Sequence, residues 1–275
     1  MAYETLNVAI DGHVAHVALN RPDKLNAMNS VFFKEIKDAF ENLDHDPNVR
    51  AIILSGNGKH FTAGLDLKEN DAVMGTKDQD PAREREKLRR HILWLQDCFS
   101  VIENANAPVI AAIHGACIGG GIDLISACDI RVASSDTWLC IQEINVAIVA
   151  DLGTLQRMNG LVPQGILREW ALTGRKVAVE ETQHFGLMNY VEPSKDEALA
   201  KAQEIAATIA SKSPVAVTGT KKVLIHARDH DVQDGLDYVA TWNSGMLLGN
   251  DLPKAAMAAL KKETPEFENL LVDKD

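Results

Sequence analysis

The chain is poor in positive charge, in aromatic residues and in paired cysteines. Its 275 residues hold 28 Lys and Arg against 39 Asp and Glu, for a net charge of −11, and only 5% are aromatic. A basic face for nucleic acid is therefore disfavoured, because phosphates need neutralising cations. The four cysteines, Cys98, Cys117, Cys128 and Cys140, form no CxxC pair and sit in apolar stretches. They are expected as reduced core residues rather than disulfides or ligands. The nine histidines show no HExxH and read as offering no close pair on one helix face, so no metal site is expected. The glycines at 119–121 do not make the GxGxxG dinucleotide fingerprint. Residues 56–64 lack the Lys-Ser/Thr of a P-loop, and no serine sits in a GxSxG frame. No apolar run is long enough to span a bilayer; the stretch 108–118 is too short and contains His114. The first residues, MAYETLNVAIDGHVAHVAL, lack a basic region followed by an apolar core, and LLVDKD is not an SKL-type address. Together they give the expectation of a cytoplasmic protein.

What is present is a chain able to bury a large core: 46% hydrophobic and 24% charged. Residues 6–10 and 13–19 alternate in the strand manner around Asp11-Gly12, a hairpin signal. After the polar loop NRPDKLNAMN, Phe32, Phe33, Ile36, Ala39, Phe40 and Leu43 recur at helical spacing, with Ser30 or Asn29 able to cap. Residues 51–54 read as a buried strand. HFTAGLDL (60–67) reads as a glycine-containing turn entering a helix. The charged stretch 71–90 fits either a solvated helix face or a flap over a site, and 88–102 is helical. Strands are expected at 109–113, 130–133 and 188–191. Helices are expected at 120–127, 164–172, 179–185, 196–210, 214–226, 232–248 and 253–262. Strand, glycine-rich turn and helix recur at 51–70 and 109–127, a loose repeat in an α/β chain.

The stretch 108–157 concentrates the chemistry. His114-Gly115 ends an apolar run, Gly119, Gly120 and Gly121 follow, and Asp123, Glu143 and Asp151 stand among Ile, Leu, Val and Ala. Acids in such company are costly unless paired, neutralised or used. N–H groups at the two glycine turns could grip one oxygen, or the glycines could simply allow close packing. Asp123 could serve a helix dipole or pair with Arg131 or Arg157. Asp151 could cap a segment beginning at Leu152. Cys117 beside His114 looks like a nucleophile pair, but both fit core packing.

HFTAGLDL and HGACIGGGIDLISACDI resemble the enoyl-CoA hydratase/isomerase (crotonase) superfamily, with likeness along practically the full length. RPDKLNAMN resembles its early CoA-contacting loop, AGLDL its first oxyanion turn and GGGID its second. The resemblance implies an α/β spiral of ββα repeats with a helical C-terminal region: residues 1–195 as the core with CoA and active site, 196–275 as a trimerisation region. Homotrimers or homohexamers and an acyl-CoA thioester substrate are implied, with no separate cofactor, no metal, no nucleic acid and no membrane. The thioester oxygen would be held by the backbone N–H groups of Leu65 and Gly120. Ala63, Gly64, Asp66 and Leu67 would line the substrate site, and Arg21 and Lys24 could meet CoA phosphates.

The acids narrow the resemblance. Hydratases are expected to have Glu where Asp123 and Glu143 stand, and glycine where Asp151 stands. The present trio, with ADLGTLQR, SKSPVAV and DYVATWN, is similar to Δ(3,5)-Δ(2,4)-dienoyl-CoA isomerases. That likeness implies that Glu143 takes a proton from C2 and that protonated Asp151 delivers one at C6, with Asp123 tuning the pocket. Two acids at opposite ends of a diene also suit the distance between those carbons. The rivals are another crotonase reaction, chiefly hydration of a 2-enoyl-CoA, and a non-catalytic binding protein.

Overall fold

The computed structural model describes residues 2–68 and 80–270. Strands β1 (Leu6–Asp11) and β2 (Val14–Leu19) form the expected hairpin, pairing Asp11 with Val14. The loop is therefore Gly12-His13, one residue later than the Asp-Gly reading. Gly12 has φ +55°, a sign that suits glycine at the first central position. The sheet then continues in parallel through β3 (Ala51–Gly56), β4 (Val109–Ile113), β6 (Ile130–Ser134) and β9 (Tyr190–Glu192), in the order β1-β2-β3-β4-β6-β9. A smaller sheet holds β5 (Ala116–Ile118), β7 (Trp138–Cys140) and β8 (Val177–Ala178).

The repeat is visible in how the two sheets alternate. β4 leads to β5 and helix α3 (Gly120–Ser126); β6 leads to β7 and then to α4 (Thr154–Arg157). β3 leads to Thr62, which bridges Cys117 of β5 in parallel, and later to α2 (Pro81–Asn104). Each turn thus lays one strand on the large sheet, a strand or single bridge on the small sheet, and then a helix, as the ββα expectation requires.

Strand period explains the layers. Ile52 and Leu54 of β3 face one buried cluster, whereas Ala51 and Ile53 face the other. The first cluster packs under α1 (Ser30–Asp44) and α2, through Phe33, Phe40, Phe99 and Ile102. Asn29 caps α1 by accepting from Phe32 N–H at 3.0 Å, a contact worth about 1 kcal/mol. The second cluster packs under α7 (Lys195–Ala210), whose Ala198, Ala202 and Ala206 form a small-residue stripe against Ile53, Ile110 and Val132. Both faces of the central strands are buried, which accounts for their continuous apolar runs.

Helices α5 (Gln164–Thr173), α6 (Val179–His184), α8 (Pro214–Asp229), α9 (Val232–Met246) and α10 (Asp251–Lys261) complete the chain. The C-terminal ones are lightly covered: Val232, Leu236, Leu248 and Leu260 are all more than half exposed. Two expectations are corrected. Residues 60–68 form no helix, because Thr62 and Leu65 make parallel bridges to Cys117 and Met28 and Gly64 takes φ +86°. The strand expected at 188–191 starts at Tyr190, since the Leu187 and Met188 N–H groups still donate to the Thr182 carbonyl. Of the charged stretch 71–90, residues 71–79 lie outside the described residues, and 81–90 form the start of α2. The four cysteines are buried and free.

Candidate active site

The two glycine turns meet. Met28 N–H donates to the Gly64 carbonyl at 2.8 Å and Asp66 N–H to the Met28 carbonyl at 2.9 Å. In a parallel bridge these neighbours face the partner strand, so the Leu65 N–H faces the other way. Ala63 N–H is used by the Leu25 carbonyl and Gly64 N–H by Thr62 Oγ1. On the second turn, Gly119 N–H donates to the Cys140 carbonyl at 3.0 Å, and Gly120 opens α3 with no residue four positions back to accept from it inside the helix. Gly64 and Gly119 touch: a Cβ on Gly64 would lie 2.7 Å from the Ile118 carbonyl oxygen and 3.7 Å from Gly119 Cα. The chain thereby brings Leu65 and Gly120, 55 positions apart, to the wall of one cavity.

That cavity measures about 370 Å³ and is lined by Met28, Phe33, Leu67, Trp138 and Ile148 together with both turns and all three acids. Glu143 opens a 3₁₀ turn (Glu143–Val146) beside the second glycine turn. Its Oε1 would sit 3.1 Å from a Cβ on Gly119, whose φ is +52°. Its Oε2 is buried without a hydrogen-bond partner. Burial raises the Glu143 carboxyl to about 7, and the nearby charges of Asp123 and Asp151 add to the rise. Asp123 is only 1% exposed, and its Oδ1 accepts from Thr154 N–H at 2.6 Å. Burial pushes it to about 6; the Thr154 hydrogen bonds and the Arg157 charge restrain that rise, while Asp151 opposes them. Asp151 is raised by burial. Three neighbouring carboxyls in an apolar cavity are thus all shifted upward, by burial first and by one another's charge second.

The structure decides between several sequence readings. Asp123 makes no ion pair with Arg131 or Arg157: Arg131 donates to the carbonyls of Leu187 and Cys128, and Arg157 pairs with Glu103 at 3.1 Å. Asp151 does not cap the next helix, because α4 starts at Thr154 with Gly153 at its N-cap and no side-chain cap. Cys117 is buried with its thiol raised well above the usual range, and His114 Nε2 pairs with the Gly58 carbonyl at 3.0 Å. They are core residues. Ala63, Gly64 and Leu67 line the cavity; Asp66, Arg21 and Lys24 do not. Arg21 turns inward, 13% exposed, to Asp66 at 3.2 Å and to the Ala27 carbonyl. The Arg21 guanidinium is thus paired with an acid 45 positions away in sequence. Lys24 is exposed at the end of a 3₁₀ turn, Pro22–Lys24.

One organiser was missed in the sequence. Asn26, 3% exposed and at φ +54°, donates to the carbonyls of Asn57, His60 and Phe61 at 2.8, 3.0 and 3.1 Å. Its Oδ1 accepts from Arg21 N–H at 2.8 Å. It fastens the early loop to the first glycine turn. The only local signal was an asparagine, a residue that tolerates left-handed backbone, inside a loop that read as merely polar.

Comparison with known proteins agrees with this geometry. The family model described as Enoyl-CoA hydratase/isomerase matches residues 9–269. A relative from Arabidopsis thaliana, named Delta(3,5)-Delta(2,4)-dienoyl-CoA isomerase, peroxisomal, is 47% identical over 274 residues, covering 98% of this chain and 99% of its own. The Homo sapiens protein named Delta(3,5)-Delta(2,4)-dienoyl-CoA isomerase, mitochondrial, is 44% identical over 265 residues, covering 95% and 81%. The crystal structure of enoyl-CoA hydratase from Bacillus anthracis matches with a TM-score of 0.87 at 30% identity, covering 96% and 99% of the two chains. The expectation of a cytoplasmic protein is corrected by these findings. The relatives are named as peroxisomal and mitochondrial, and cytoplasm had been taken as a default. The α/β fold is the crotonase-type spiral with its C-terminal helices. With a family model spanning 9–269 and relatives at 44% and 47% identity along nearly the whole chain, the protein belongs to the enoyl-CoA hydratase/isomerase family.

Proposed function

We propose that this protein is an isomerase that converts a 3,5-dienoyl-CoA to the conjugated 2,4-dienoyl-CoA. The observation that carries the reading is the pairing of two acids in one apolar cavity with the two glycine turns, whose Leu65 and Gly120 line it. The thioester oxygen sits between the N–H groups of Leu65 and Gly120. Glu143 takes a proton from C2; the C2–H electron pair moves into the thioester, giving a dienolate. Fixed donors stabilise the developing oxyanion without reorganising, and losing one such donor costs about 3 kcal/mol of barrier. A base whose carboxyl sits at about 7 is matched to that task at neutral pH. Asp151, which burial keeps prone to protonation, then gives its proton to C6 as the dienolate collapses, leaving double bonds at C2 and C4. An acyl chain filling the cavity displaces water from Asp151 and strengthens that tendency. Glu143 ends protonated and Asp151 ionised, so the two exchange protons with solvent before the next turnover.

The names of the relatives support the same reaction over hydration. So does the Asp123 carboxylate, one oxygen of which is committed to Thr154 instead of a water. Coenzyme A belongs to the substrate. The exposed apolar side chains of α9 and α10 support assembly into a homotrimer or homohexamer. Purified protein given a 3,5-dienoyl-CoA is expected to generate conjugated-diene thioester absorbance. Hydration of a 2-enoyl-CoA with no diene formation contradicts the proposal.

A further inference from the structure

Behind the loop that carries Asp151, three side chains lie on one face of α2: Gln96, Ser100 and Glu103, at successive i, i+4 and i+7 positions. Gln96 Nε2 donates to the Asp151 backbone carbonyl at 2.7 Å. Arg157 joins the other two to the same loop. Its Nε donates to Glu103 Oε2 at 3.1 Å, its Nη2 to Ser100 Oγ at 3.0 Å and its Nη1 to the Leu152 carbonyl at 3.1 Å. The Arg157 and Glu103 side chains are 10% and 16% exposed, and Arg228 closes on Glu103 from the other side. Gly153 passes so close over the guanidinium that a Cβ there would lie 1.9 Å from Nη1, at a φ of +132°. Two consecutive carbonyls, of Asp151 and Leu152, are thus tied to one rigid helix.

The Asp151 carboxyl accepts no hydrogen bond from another residue among the described residues, so its aim is inherited from its backbone. Glu143 stands on a different support: its 3₁₀ turn is fastened by Asn145 Nδ2 donating to the Gly174 carbonyl at 2.7 Å. The two ends of the reaction therefore have separate anchors. We propose that Gln96 and Arg157 are positioning residues that aim Asp151 at the far end of the diene, while the C2 end of the chemistry does not depend on them. This rests on the reading of Asp151 as the acid.

Gln96→Met removes the first donor while keeping its bulk. Arg157→Lys keeps the charge while losing the fork that reaches Leu152, Ser100 and Glu103 together. Each is compared with the unaltered protein in two assays. One measures kcat and KM for 3,5-dienoyl-CoA isomerisation. The other measures exchange of the C2 hydrogens of a saturated acyl-CoA with D₂O, which uses Glu143 and the two backbone donors but not Asp151. Isomerisation kcat is expected to fall roughly 10-fold or more, as sub-ångström misplacement of an acid does. KM and C2 exchange are expected to stay within about 2-fold, because substrate binding and enolate formation are untouched. Unchanged kcat in the variants overturns the inference, as does an equal loss of isomerisation and exchange. Should Arg157→Lys fail to fold, Gln96→Met decides alone, since it removes a single hydrogen bond at a partly exposed position. An unaltered protein that exchanges C2 hydrogens but forms no diene overturns the Asp151 reading itself.

Discussion

Replacing Glu143 by Gln should cripple turnover and yet stabilise the protein, and the gain should depend on pH. The carboxyl stands at about 7 in the folded chain against 4.5 for the free group, chiefly through burial. A folded-state value above the unfolded one means that the native protein binds the extra proton. Stability then falls as pH rises from about 4.5 towards 7 and stays low above that. The full rise corresponds to about 3 kcal/mol, of which about 2 is expected on removal, because Glu143 is only part-buried and part of the repulsion is shared with Asp123. An amide pays none of this cost, and its NH₂ or carbonyl carries no charge into the cavity. Equilibrium urea unfolding at pH 8 should show the variant more stable by about 2 kcal/mol, with the difference shrinking to less than half by about pH 5. At the same time kcat for diene formation should drop by about 10²-fold or more. A gain equal at both pH values, or no gain at pH 8, would refute the claim that burial of an ionisable Glu143 strains the native state.

Other consequences follow from the same geometry. Gly119→Ala forces a φ of +52° on a residue with a Cβ and crowds Glu143 Oε1; melting and kinetics should show about 1–3 kcal/mol of lost stability together with lost activity. Asn26→Ala leaves the buried carbonyls of Asn57, His60 and Phe61 without their donor; chemical denaturation should register about 2–3 kcal/mol of destabilisation. The profile of kcat/KM against pH should rise as Glu143 ionises near its value of about 7, an acid limb that disappears in Glu143→Gln. A profile that is flat between pH 5 and 9 would contradict the assignment of Glu143 as the base.

Much of the local structure was legible because it is written in short-range patterns. The helix under Phe32, Phe33, Ile36 and Phe40 and its Asn29 cap follow from spacing and from one side chain. The hairpin at Gly12 follows from a single glycine. What spacing could not give is which distant pieces meet. Residues 60–67 read as a turn entering a helix because their partners, Met28 and Cys117, lie far away in sequence, and those bridges override local preference. The Arg21–Asp66 pair was hidden because the two residues lie 45 positions apart. The acids were visible as anomalies among apolar neighbours, but their ranking was not. That Glu143 is raised to about 7 depends on its burial and on the closeness of Asp123, both of which exist only once the spiral is wound. The Asp123–Thr154 hydrogen bond likewise joins two turns of the repeat.

The central claim is that two acids divide one proton shift, and Asp151→Asn tests it most directly. Asparagine fits the same space but cannot release a proton to carbon. With 3,5-dienoyl-CoA as substrate, conjugated-diene formation should fall by about 10²-fold or more, while KM stays near that of the unaltered protein. Diene formation at an undiminished rate in Asp151→Asn would contradict the account.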